Sequence, residues 1–251
     1  MIYNPYPQVD LPFGKDNKYF KILFDAICKV EKRYLYYDVK SADVHKIEEI
    51  NHSHLERVFA YEVYRQWGNL IEKSCDHSLI LNAELDKFIE DGDIILESEQ
   101  FNCSDENKLK VYPDLILHHD QGDDDIQKIV CEIKRTTRIT GKLILGDLYK
   151  LCCYMTKEKF HSKYKPFRYG VFLLSGGKLS DIRIGDCEKI RHGDSCCTSK
   201  DLQDKFKAIL GRIICVAYDG TTLEYETLDK ICPELKQNKN ELNIDNANRI
   251  S

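Results

Sequence analysis

KVYPDLILHHDQGDDDIQKIVCEIKR, residues Lys110–Arg135, is the stretch on which the reading of the fold turns. It divides into a strand at Val111–His119, a polar Gly/Asp cluster at Gln121–Asp125 of the kind that closes hairpins, and a strand at Lys128–Lys134. A turn centred near Asp123 sets Asp114 across from Glu132 and Tyr112 across from Lys134. Side chains alternate along a strand, so Val111, Leu115, Leu117, Ile129, Cys131 and Ile133 share an apolar face. Asp114, Glu132 and Lys134 share the other with Ile116 and Val130. Like charges directly opposite on a sheet are destabilising unless something lies between them, and a hard divalent cation with oxygen ligands is one answer. A half-buried hairpin whose polar face meets solvent is the other.

Pro113-Asp114 on one strand and Glu132-Ile133-Lys134 on the next, followed by a helix, resembles the PD-(D/E)XK signature of the restriction-endonuclease-like nuclease superfamily. The resemblance covers roughly residues 55–174. It implies an α/β (α+β) fold with a mixed central β-sheet flanked by helices, and a metal-dependent phosphodiesterase activity. On the family's pattern Asp114 and Glu132 hold Mg2+ or Mn2+, and Lys134 positions or activates the attacking water. The implied partner is nucleic acid, with DNA the expected substrate, and a homodimer suits paired cuts in a duplex. Cutting from an end or internally is left open. A catalytically inactive nuclease-like module that binds nucleic acid or protein is the alternative.

Length and composition agree with a soluble globular chain. At 251 residues a sizeable core is affordable, and one domain with elaborations is the simplest division. The expected boundaries are an N-terminal helical extension at 1–53, the nuclease-like domain at 54–232 and a disordered tail at 233–251. The absence of a run of eighteen apolar residues argues against a membrane span. The start, MIYNPYPQVDLPFGKD, is not that of a secretory signal. Eleven cysteines, an odd number at irregular spacing with no CxxC, argue against structural zinc and a disulfide framework. Reduced thiols and a cytoplasmic location follow. A net charge of −5 counts against a simple electrostatic grip on nucleic acid, although a cleft can be basic on an acidic surface.

Upstream of the hairpin, Phe20, Leu23, Phe24, Ile27 and Val30 predict a helix over 17–37, and a short helix is expected near 44–50. Ser53 is the expected N-cap of a helix over 54–73. Glu62 lies within that helix's apolar stripe, where a carboxylate is costly unless paired. Either Arg65 and Gln66 satisfy it, or it adds an acid to the metal site. Many members of the superfamily bring a glutamate from a helix preceding the sheet, and the resemblance nominates Glu62 for that place as a further catalytic and metal-holding residue. A strand is expected at 79–85, ending at Glu84, and an acidic loop at 90–108.

Downstream, Arg135, Arg138 and Lys142 stand where a phosphate backbone can approach, though any solvated loop carries such charges. Thr140 caps a helix expected to reach Lys157, with Asp147 inside its apolar stripe and Lys150 beside it. Residues 167–174 give the strongest strand signal, expected at mid-sheet. SGGK at 175–178 lacks the first glycine of a P-loop. A polar loop over 179–199, a helix over 201–209 and strands at 212–218 and 223–228 complete the reading.

Overall fold

The computed structural model describes residues 14–35, 52–74, 76, 78–83, 113–119, 127–135, 140–156, 166–184, 190–192, 195–197 and 206–233. Its centre is a six-stranded mixed sheet flanked by helices. The strands are β1 (Leu79–Ala83), β2 (Leu115–His119), β3 (Gln127–Arg135), β4 (Tyr169–Ser175), β7 (Ile213–Tyr218) and β8 (Leu223–Thr227), in spatial order β1-β2-β3-β4-β7-β8. β1, β2 and β3 form an antiparallel meander, β4 and β7 run parallel to β3, and β8 returns antiparallel at the far edge. Two three-residue strands, β5 (Ile190–His192) and β6 (Ser195–Cys197), pair with each other in the segment expected to be a loop. Strands that short give too few alternations to register as a period.

Alternation along the central strands builds two apolar layers. Ile129, Cys131 and Ile133 of β3, Tyr169, Val171 and Leu173 of β4, and Ile214, Val216 and Tyr218 of β7 face α1 (Asn17–Cys28) and α2 (His52–Lys73). Val130, Phe172, Leu174, Ile213, Cys215 and Ala217 face α3 (Gly141–Tyr154). Because both faces are covered, β3, β4 and β7 read as nearly continuous apolar runs. Burying each large side chain of this kind contributes about 2 kcal/mol.

The hairpin register holds where it matters most. Leu115 pairs with Cys131, Ile116 with Val130 and Leu117 with Ile129, as a turn centred on Asp123 requires. Beyond that the register slips by one, His118 pairing with Gln127. The extra residue is Lys128, which is buried, with its ammonium 5.8 Å from the centre of the Tyr19 ring. The expected pairing of Tyr112 with Lys134 lies outside the described residues.

Helix boundaries moved where tertiary partners decide them. α1 stops at Cys28, well short of residue 37; the Lys29 N–H closes its last turn on Ala26, and the Tyr218 hydroxyl shares its proton between the Cys28 and Val30 carbonyls at 3.4 and 3.3 Å. α1 buries Tyr19, Phe20, Leu23, Phe24 and Ile27 in the same apolar layer as α2. α2 begins at His52, so Ser53 falls inside the helix rather than capping it. Thr140 does cap α3, its hydroxyl accepting from Leu143 N–H at 3.4 Å. That helix ends at Tyr154, whose carbonyl accepts from Phe167 N–H at 3.0 Å. β4 stands fourth in the sheet, at mid-sheet as expected, and β7 and β8 pair across Asp219-Gly220. The short helix near 44–50, Glu84, the loop at 90–108 and residues 234–251 lie outside the described residues, as does most of the helix expected at 201–209. Among the described residues no helix is long and apolar enough to cross a membrane.

Candidate metal centre

At the carboxyl end of β3, charged side chains from four elements meet between the sheet and α3. Asp114 immediately precedes β2, and its backbone N–H donates to the Cys131 carbonyl at 3.1 Å. The paired register ends at Leu115–Cys131, and Asp114, just before it, stands near enough to Glu132 for their charges to interact. The Asp114 carboxylate also accepts the Ile133 N–H at 2.6 Å, which fixes its orientation. Burial raises the Asp114 carboxyl to about 6; the Ile133 N–H and the Lys134 charge oppose the rise.

Glu132 is 2 % exposed, in the middle of an apolar strand. One of its oxygens, Oε2, accepts from Lys150 Nζ at 2.9 Å; the other, Oε1, is buried with no hydrogen-bond partner. Burial pushes the Glu132 carboxyl well above the usual carboxylate range, against the pull of Lys150 and with a further push from Asp114 and Asp147.

Lys134 Nζ lies 3.2 Å from Glu56 Oε1 and 3.4 Å from Asp147 Oδ2. Asp147 Oδ1 in turn lies 2.6 Å from Lys150 Nζ. The groups therefore form a chain, Glu56–Lys134–Asp147–Lys150–Glu132, with Asp114 alongside. Burial lowers both ammonium groups, but the carboxylates outweigh it: Asp147 and Glu56 raise Lys134, and Glu132 and Asp147 raise Lys150, so both stay protonated at neutral pH.

Of the residues singled out from sequence, Asp114, Glu132 and Lys134 are brought together, and Glu62 is not. Glu62 is buried against its own helix, accepting from Arg65 Nε at 2.9 Å and Gln66 Nε2 at 2.8 Å and pairing with Arg65 Nη2. The Arg65 bonds hold its carboxyl below the ordinary value despite burial. The α2 carboxylate at the site is Glu56, whose Oε2 also accepts the Arg135 N–H at 3.3 Å. Six residues of helix separate the two glutamates by about 9 Å of rise and turn them about 120° apart. Glu56 continues the stripe of Phe59, Ala60, Val63 and Trp67 by one turn, at spacings of three, four, seven and eleven. That periodicity was the available signal. Asp147 and Lys150, three residues apart on α3, face the same cluster. Of the three basic residues expected at the phosphate backbone, Arg135 ends β3. Arg138 lies outside the described residues, and Lys142 falls in the first turn of α3 with its side chain undescribed.

The donor set suits a hard divalent cation. Four carboxylates, Glu56, Asp114, Glu132 and Asp147, stand against two ammonium groups, and a buried carboxylate oxygen lacks a donor. As the side chains stand, no three His, Cys, Asp or Glu among the described residues are gathered at ligand spacing; the acids are interleaved with Lys134 and Lys150. Compared with models of protein families, with curated proteins and with solved structures, the chain matches none.

Proposed function

We propose that this chain is a metal-dependent nuclease that hydrolyses phosphodiester bonds of nucleic acid, with DNA the expected substrate, through a restriction-endonuclease-like PD-(D/E)XK centre. The observation that carries the reading is that Asp114, just before β2, and Glu132 of β3 stand in one charged cluster with Lys134, two residues on from Glu132. Its place also suits the reading: ligands of open α/β sheets bind beyond the carboxyl ends of parallel strands, here β3 and β4. The order of helix, three-strand meander, helix and parallel strand is compatible with the core that the resemblance implies.

Asp114 and Glu132 would hold Mg2+ or Mn2+, with Glu56 the carboxylate brought from the preceding helix. Such an ion, when bound, lowers the pKa of a water and relieves charge on the phosphoryl oxygens. The Ile133 N–H fixes the Asp114 carboxylate. Glu56 and Asp147 hold the Lys134 ammonium protonated. Lys134 therefore acts as a point cation that orients water and balances phosphoryl charge, and does not remove a proton.

The test is incubation of the purified chain with plasmid, linear duplex, single-stranded DNA and RNA, each with Mg2+, Mn2+ or chelator, beside Asp114→Ala and Lys134→Ala. Cleavage in the wild type that chelator and either substitution abolish is the expected result. Full activity in a folded variant, or cleavage that survives chelation, refutes it. One observation favours the inactive module: Lys134 and Lys150 already link Glu56, Asp147 and Glu132 into a chain of ion pairs. On that reading calorimetry finds no Mg2+ binding.

A further inference from the structure

We propose that Glu132 and Asp147 form a cation seat of their own, held here by the Lys150 ammonium, and that a divalent cation enters by displacing that ammonium. Lys150 Nζ sits between Glu132 Oε2 at 2.9 Å and Asp147 Oδ1 at 2.6 Å, so acids from a strand and a helix converge on one cationic atom. Glu132 and Asp147 are 2 % and 4 % exposed. Each has a second oxygen, Glu132 Oε1 and Asp147 Oδ2, that is buried without a hydrogen-bond donor. Asp147 Oδ2 meets only the Lys134 charge, at 3.4 Å. An ammonium offers three protons and a single positive charge, which leaves those second oxygens unserved. A hard divalent ion brings twice the charge and can take both oxygens of a carboxylate.

Lys150 is also able to leave. Its side chain is about a fifth exposed, and rotation about its own bonds carries the ammonium outward with no main-chain movement. Asp114 differs, since its Oδ2 is committed to the Ile133 N–H. The seat thus makes Asp147 a metal ligand, and Lys150 an internal competitor that sets how much free cation the site requires.

The proposal rests on the metal-dependent reading, because both place a hard cation at the end of β3. The experiment therefore follows Mn2+ itself, in the metal-stripped full chain. Binding is measured by the loss of the free-ion electron paramagnetic resonance signal, and exposure of Lys150 by mass spectrometry after brief acetylation. Saturating Mn2+ should raise acetylation of Lys150, which is sheltered between two acids without it. Lys150→Met should bind Mn2+ more tightly by about tenfold or more, since a charge competing within a few ångströms is gone. Adding Asp147→Asn to Lys150→Met should remove that gain. A wild type that binds nothing while Lys150→Met binds overturns entry by displacement and the metal-dependent reading together. Mn2+ binding with unchanged Lys150 acetylation, or a gain that survives Asp147→Asn, overturns the seat and leaves the nuclease reading standing. Absence of binding in both chains overturns both. Should Lys150→Met fail to fold, Lys150→Gln replaces it, and the acetylation readout needs no variant.

Discussion

Replacing Asp114 with Asn should stabilise the metal-free protein, and increasingly so as pH rises. Asn keeps an acceptor for the Ile133 N–H, which the carboxylate takes at 2.6 Å, but never ionises. In the folded chain the Asp114 carboxyl is raised from 3.8 to about 6, by burial first and by the Glu56 charge in addition. Between those values the native state holds a proton that the unfolded chain has released. Stability therefore falls as pH rises through the window, and the loss is complete above about 6. At about 1.36 kcal/mol per pH unit, the ceiling on that loss is about 3 kcal/mol. Wild type and Asp114→Asn should be close at pH 4 and differ by up to that amount at pH 8. Urea unfolding in chelator reads this directly, because Trp67 is the sole tryptophan and is fully buried. A shift of about 1 M in midpoint is expected at pH 8. A difference that does not change with pH, or a variant weaker than wild type at pH 8, refutes the claim that this carboxylate is ionised at a cost. Saturating Mn2+ should reverse the order, since the variant loses a ligand.

The two glutamates of α2 give a second contrast. Glu56→Gln should lower metal-dependent cleavage by about tenfold or more through loss of its grip on Lys134, whereas Glu62→Gln should leave cleavage unchanged. Side-by-side initial rates decide between them. Phe172→Ala, which empties a fully buried site at mid-sheet, should cost about 3–5 kcal/mol in denaturant unfolding. Gly220 sits at φ +89° in the β7–β8 turn, where an added Cβ would come within 2.9 Å of Leu35 Cδ1 and Lys32 Cγ. Gly220→Ala should therefore destabilise by about 1–3 kcal/mol, read as a lower thermal midpoint.

How much of this is legible in the sequence depends on the range of the forces involved. Hairpin register follows from a period-two pattern and a turn centre, both local, so the pairing of Leu115 with Cys131 and Leu117 with Ile129 could be read from the stretch itself. The slip at Lys128 could not: the residue it sets aside is buried beside a ring supplied by α1. Glu62 drew attention because it interrupts an apolar stripe, but Arg65 and Gln66, one turn on, satisfy it within the helix. Glu56 drew none because it lies in the first turns of the helix, where a charged side chain is ordinary. Its partner Lys134 is 78 residues away. The surroundings of the end of α1 were hidden for the same reason: the hydroxyl that donates to the Cys28 and Val30 carbonyls belongs to Tyr218. Asp147 within its stripe was visible as an anomaly, yet only the packing of α3 on β3 shows that it answers Glu132 through Lys150.

The charged cluster is hard to justify as a source of stability. Two apolar layers already hold the sheet, and Glu132 is flanked along its strand by buried Ile129, Val130, Cys131 and Ile133. Replacing buried ion pairs with apolar side chains of like volume is often neutral or stabilising by about 1–4 kcal/mol. Here the pairing is also incomplete: four acids face two ammonium groups, and an oxygen of Glu132 has no donor. A divalent ion favours the ionised forms of these acids, so on the proposed reading the ion that would serve a phosphodiester also offsets the burial penalty they carry at this end of the sheet. Folding and cation binding then share the same residues. Any substitution that makes the metal-free protein more stable by removing one of these acids should, for the same reason, weaken its hold on the cation.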